Sequence, residues 1–222
     1  NFSKKTQLPF DRIYNDLKEG KYALPGLPAF YSCQEDTAHT LIITLKDTTN
    51  SVFVHLYYGV LEEKDIITRA VCIENKGDSP VYLDRVLSVC ADFQYGEYDF
   101  ISFYGRHAME RLYSRTRVHH GVQAVGSTRG ASSHHYNPFV VLADKNTTET
   151  SGECYGFSFV YSGDFLAEAE KDQTGQTRVL MGIHPENFCY KLDPGQTFTA
   201  PETAMVYSST GFESMTHTFH KA

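Results

Sequence analysis

The chain contains no tryptophan, no CxxC pair, no long apolar run and no excess of positive charge, and each absence removes a class of function. Its five cysteines, Cys33, Cys72, Cys90, Cys154 and Cys189, are far apart and odd in number. That pattern gives no support to a zinc site or a thioredoxin-like centre. Cys72 and Cys90 sit in apolar runs and read as small buried hydrophobes, so a reduced, cytoplasmic setting is expected. No stretch approaches the roughly 18 apolar residues that would span a bilayer, and no membrane contact is expected. The formal charge is −7, the opposite of the basic footprint that nucleic-acid binding requires. There is no GxSxG elbow and no HExxH helix. The first residues, Asn1-Phe2-Ser3-Lys4-Lys5, lack an initiator Met and a following apolar run, which suggests a piece of a longer polypeptide without a signal peptide.

What is present is sheet. The chain has 15 Tyr and 15 Phe, residues that favour pleated, half-buried surfaces. Short alternating runs recur at 40–46, 52–60, 66–74, 81–91, 98–104, 140–143, 155–161, 165–170, 177–183 and 203–207, with Gly, Pro, Asn and Asp between them. In the second run Val52, Val54, Leu56 and Tyr58 share one face. Only Phe212, Met215 and Phe219 keep a helical spacing, which predicts a short C-terminal helix. No repeat or linker divides the chain. The reading is one all-β domain over residues 1–222, a large antiparallel β-sandwich closed by a short helix.

The densest polar constellation lies between Gly105 and Phe139, with Arg106, Arg111, Arg115, Arg117 and Arg129, five His and four Gly in a stretch of weak apolar periodicity. A basic cluster in an acidic chain can grip a carboxylate or pair with acids of a neighbouring domain. The alternative is that these groups anchor an irregular loop through backbone carbonyls. His119-His120 and His134-His135 lack metal-site spacing, and neighbours on a strand point to opposite faces. No metal or other cofactor is expected. Ser132 and Ser133 beside His134 do not make a nucleophile, since adjacency in sequence places no imidazole on a hydroxyl. Asp193, followed by Pro194-Gly195, reads as a turn. Tyr95, Tyr98, Phe100, Phe103 and Tyr104 could stack on pyranose rings, or could fill the space between two sheets.

Several phrases together point to one family. They are Asp65-Ile66-Ile67-Thr68-Arg69, the GRHAMER segment from Gly105 to Arg111, Gly130-Ala131-Ser132-Ser133-His134, and Asn137-Pro138-Phe139. To these add YGFSFVYSG from Tyr155, QTRVLMGI from Gln176, Pro201-Glu202 and Met205-Val206-Tyr207-Ser208. In this order they resemble the N-terminal domain of family-36 glycoside hydrolases, the bacterial α-galactosidases. The resemblance implies a supersandwich ahead of a (β/α)8 barrel and a C-terminal β-domain. It also implies retaining hydrolysis of terminal α-galactosides such as melibiose and raffinose, without a metal or nucleotide. The catalytic aspartates of such enzymes lie in the barrel, so no catalytic residue transfers to this chain. His107 stands where many relatives have Trp, whereas Glu110 and Arg111 fit. An upstream Gly-Thr-Gly-Asp-aromatic-Arg phrase, which in tetrameric relatives reaches a neighbouring subunit, has no counterpart here. Arg106, His107, Glu110, Arg111, Ser132, Ser133, His134 and Asn137 are the candidates for contact with substrate, with the protein's own barrel, or with other subunits of a homo-oligomer.

Overall fold

The computed structural model describes residues 38–47, 49–94 and 96–221. Three long strands open it: β1 (Ala38–Asp47), β2 (Val52–Leu61) and β3 (Ile66–Asn75). They form a meander in which Leu41 faces Tyr58, Ile43 faces Leu56 and Leu45 faces Val54. This register places the alternating apolar set of β2 on the side that becomes the core. Ser51 and Asp65, both at positive φ, turn the chain between these strands.

The remaining strands are β4 (Val81–Leu83), β5 (Leu87–Phe93), β6 (Tyr98–Arg106), β7 (Met109–Arg117) and β8 (Gly121–Gly126). After them come β9 (Tyr136–Asp144), β10 (Cys154–Phe159), β11 (Phe165–Lys171) and β12 (Thr177–Ile183). Last are β13 (Tyr190–Leu192), β14 (Thr197–Thr199), β15 (Thr203–Ser208) and the helix α1 (Phe212–His220). The large antiparallel sheet has the order β1-β2-β3-β15-β10-β9-β6-β7, with β14 also paired to β3. A second sheet, β11-β12-β5, lies over it, and β4 with β13 makes a small ribbon. Strand β8 runs against β11.

The two sheets enclose the main core. Phe100, Val140, Leu142, Phe157, Phe159 and Met205 from the large sheet meet Val89, Phe93, Phe165, Val179 and Met181 from the small one. Phe93 is the hub, edge-on to Tyr155 at 4.7 Å and to Tyr98 at 5.8 Å. Polar groups tie the layers as well. The Arg69 guanidinium on β3 donates to the Cys90 carbonyl on β5 at 2.7 Å and covers the Tyr58 ring at 5.0 Å. Arg178 on β12 grips buried Asp92 on β5 with Nε and Nη2 at 2.6 and 3.0 Å. That carboxylate holds the arginine proton well above its usual affinity.

Around β9, β10 and β15 the large sheet is dry on its other face too. Met215, Phe212 and Phe219 of α1 pack onto Ile66, Ile101, Val141, Ala143, Cys154 and Val206. Consecutive residues of β9 therefore serve opposite cores, which is why Phe139-Val140-Val141-Leu142-Ala143 is uninterruptedly apolar rather than alternating. Burying Met215 stabilises the fold by about 1.5–3 kcal/mol. The helix lies so close that a Cβ on Gly156 would stand 2.6 Å from the Phe219 ring and 2.7 Å from Met215 Sδ. The predicted C-terminal helix and sandwich are both present.

Two expectations change in detail. The single run at 81–91 is two strands of different sheets, because exposed Asp84 and Arg85 break its apolar face between Leu83 and Leu87. The stretch after Gly105, read as irregular, contains β7 and β8. As an edge strand, β7 is exposed at most positions and has no apolar period to detect.

One buried carboxylate anchors the β6–β7 ribbon. Asp99 accepts Arg115 Nε at 2.7 Å and Arg117 Nε at 2.6 Å. Arg115 also donates to the carbonyls of Thr147, Asp144 and Lys145, pinning the 144–152 loop. Desolvation raises the Asp99 pKa, but the hydrogen bonds and charges of Arg117 and Arg115 outweigh it, and the net direction is down. Asp99 thus contributes stability that is present above the ordinary carboxylate pKa of about 3.9 and lost as pH falls through its lower folded value. The urea midpoint of Asp99→Asn is expected below wild type near neutrality, with the gap closing below pH ~4. A gap that stays constant with pH would contradict this account. Gly182 provides a second test, since a Cβ there would lie 2.5 Å from Leu87 Cα and 2.9 Å from Ser88 N. Gly182→Ala should destabilise the chain by about 1–3 kcal/mol, read as a lower urea midpoint at unchanged slope.

Candidate functional site

The candidate residues fall on two segments that the fold joins. Strands β6 and β7 pair from Asp99↔Arg117 to Arg106↔Met109, with an irregularity between Tyr104 and Arg106. His107 and Ala108 form the tip, and Ala108 and Arg111 take positive φ. Glu110 closes the turn by accepting the Ala108 amide through Oε1 at 3.1 Å. Arg106 Nη2 donates to Met109 Sδ at 3.1 Å. Arg106, His107, Glu110 and Arg111 are all exposed.

The second segment runs from Ser127 into β9. Ser127 Oγ donates to the Ala131 carbonyl at 2.6 Å, and the Gly130 amide donates to Asp164 Oδ1 at 2.6 Å. Ser132 is buried, and its amide donates to the Ser162 carbonyl at 2.9 Å, which makes it an anchor of the loop rather than a nucleophile. Ser133, at positive φ, accepts the His135 amide at 3.3 Å. The rings of His134 and His135 stack at 4.7 Å. Desolvation first, then the charges of Arg129 and His134, push the His135 imidazole below its ordinary value. Asn137 is half-buried at the start of β9.

A hydrogen bond from the Gly105 amide to the His135 carbonyl, at 3.2 Å, fastens the hairpin to this loop. Alongside it, Tyr104 pairs with Leu112 on β7 and with Tyr136 on β9. Cross-strand partners share a face, so these three side chains form one apolar row. They are 42%, 39% and 42% exposed, and Tyr113 reaches 66%. The sequence reading selected the charged residues here but missed Leu112 and Tyr136. Large apolar residues inside an otherwise charged ribbon were the available signal.

Other sequence candidates go elsewhere. Phe100 is core, Tyr98 packs on Phe93, and Phe103 packs on Phe139 at 5.4 Å. Of the described members of that aromatic set only Tyr104 is exposed, and Tyr95 lies outside the described residues. His119 Nδ1 meets Gln123 Nε2 at 2.8 Å, while His120 Nδ1 meets the Asp172 carbonyl at 2.8 Å, so this pair turns to separate partners. Asp193 lies in a turn, its carbonyl accepting the Gln196 amide. The two buried carboxylates among the described residues, Asp92 and Asp99, are both held by arginines. Burial pushes the Cys154 thiol up to about 12, which leaves no thiolate for chemistry.

Comparison with known proteins places this geometry. Residues 3–193 match the model described as the glycosyl hydrolase family 36 N-terminal domain. A bifunctional α-galactosidase/sucrose kinase from Mediterraneibacter gnavus is 51% identical over 205 residues, covering 92% of this chain and 22% of that protein. The α-galactosidase AgaA from Geobacillus stearothermophilus is 47% identical over 210 residues, covering 95% of this chain and 28% of that protein. The crystal structure of AgaA superposes with a TM-score of 0.84, covering 89% of this chain and 28% of AgaA. AgaA variants have also been solved in complex with stachyose and with raffinose. The chain thus spans about a quarter of the length of these relatives. With the family model covering most of the sequence and the sandwich superposing on a solved member, the chain belongs to the N-terminal domain family of family-36 glycosyl hydrolases.

Proposed function

We propose that this chain is a single non-catalytic structural and assembly domain of a longer retaining α-galactosidase, one that acts on terminal α-galactosides such as melibiose and raffinose. The observation that carries the reading is the state of the buried acids. Glycoside hydrolysis by the usual route needs two free carboxyl groups facing a sugar, roughly 5–5.5 Å apart for retention. The buried carboxylates Asp92 and Asp99 are instead locked in ion pairs that hold the sheets and the hairpin. The chemistry belongs to the remaining three quarters or so of the relatives' length, by inference a barrel. The exposed end built from the β6–β7 hairpin and the 127–136 loop is the surface for packing on that barrel or on another subunit of a homo-oligomer. Cys72, Cys90, Cys154 and Cys189 are free thiols, in keeping with a reducing, cytoplasmic compartment.

A galactoside-binding role without catalysis loses its best support, because the aromatic set proposed for stacking is mostly engaged in packing. The purified 222-residue chain is expected to release no chromophore from a nitrophenyl α-galactoside, while the protein encoded by the full reading frame does. Turnover by the chain alone, or none by the full-length protein, would overturn this assignment. Titration with raffinose should leave the tyrosine fluorescence of the chain unchanged.

A further inference from the structure

The pairing of the arginines singles out one end of the molecule. Arg85 bonds Glu168, Arg115 and Arg117 share Asp99, Arg178 grips Asp92, and buried Arg69 bonds a carbonyl between the sheets. Among the described residues the arginines that remain without an ion pair are Arg106, Arg111 and Arg129, and all three belong to the hairpin and its companion loop. Arg106 and Arg111 lie on the hairpin that Gly105 ties to His135, and Arg129 acts electrostatically on that same His135. The acids at this end are already engaged, Glu110 with the Ala108 amide and Asp164 with the Gly130 amide. Three guanidinium groups without an ion pair among the described residues thus accompany the exposed row Tyr104, Leu112 and Tyr136, in a chain whose overall charge is −7.

We propose that this end docks onto a carboxylate-bearing surface of the catalytic portion of the same longer protein, with the apolar row at the centre of the contact and the three arginines at its rim. This rests on the assembly-domain reading above and names the partner's chemistry. An apolar centre with a charged rim is the usual anatomy of a specific protein interface, and arginine is favoured there for bidentate grip on carboxylates. The same patch on a second copy is the wrong occupant, because a two-fold contact would set these arginines against one another.

Hydrogen exchange of the full-length protein against the 222-residue chain tests the proposal. Amides of residues 105–112 and 129–136 should exchange about tenfold or more slowly in the full-length protein. The triple variant Arg106→Glu, Arg111→Glu, Arg129→Glu should abolish that protection, whereas the triple lysine variant keeps most of it. The same glutamate substitutions in the chain alone should leave its Tm unchanged, since these side chains are exposed and hold no ion pair within the described fold. Equal exchange in both proteins, or protection that survives charge reversal, sinks the proposal. So does a chain that dimerises by sedimentation through this patch. Galactosidase assay of the full-length protein separates the two readings: an active enzyme with an unprotected hairpin defeats the docking surface and leaves the assignment standing.

Discussion

The structure depends on central strands that are desolvated on both faces. Strands β9 and β10 carry no solvent face along most of their length, because the small sheet covers one side and α1 the other. Every backbone polar group there must be met by the ladder, and β10 pairs with β15 over its whole length and with β9 from Cys154 to Ser158. Water can reach the large sheet mainly at its margins. The hairpin of β6 and β7 is such a margin, and it carries most of the exposed aromatic surface described above.

Among the described residues both buried carboxylates are paired with arginine. A buried carboxylate is expensive unless paired and hydrogen-bonded, and Asp92 and Asp99 satisfy both conditions through two-point or two-arginine contacts. A carboxylate held by arginine is a poor proton donor and a hindered nucleophile, and at Asp92 and Asp99 the contacts that stabilise the sandwich are of this kind. The relatives' solved structures with oligosaccharides belong to chains about three times as long.

Much of the fold was legible in the sequence because the half-buried strands alternate. Val52, Val54, Leu56 and Tyr58 identified their own face, and Phe212, Met215 and Phe219 identified the helix. Legibility failed where alternation carries no information. Strand β7 is exposed on both faces, and the break between β4 and β5 is set by a change of sheet that no local pattern records. The site was half legible. Charge density marked Arg106, Glu110 and Arg111, but the apolar row needs the register of β6 with β7 and β9 before Tyr104, Leu112 and Tyr136 become neighbours. Ser132 shows the converse, a residue in a suggestive phrase whose role is to tie a loop to Ser162.

The contact at Gly156 has a mechanical consequence. A helix resting on a strand where even a methyl group would intrude cannot slide or roll without losing the rings that lock it in place. Its axis is therefore a fixed direction in the frame of the sandwich. A single missing carbon at Gly156 thus sets how closely the helix can approach its strand.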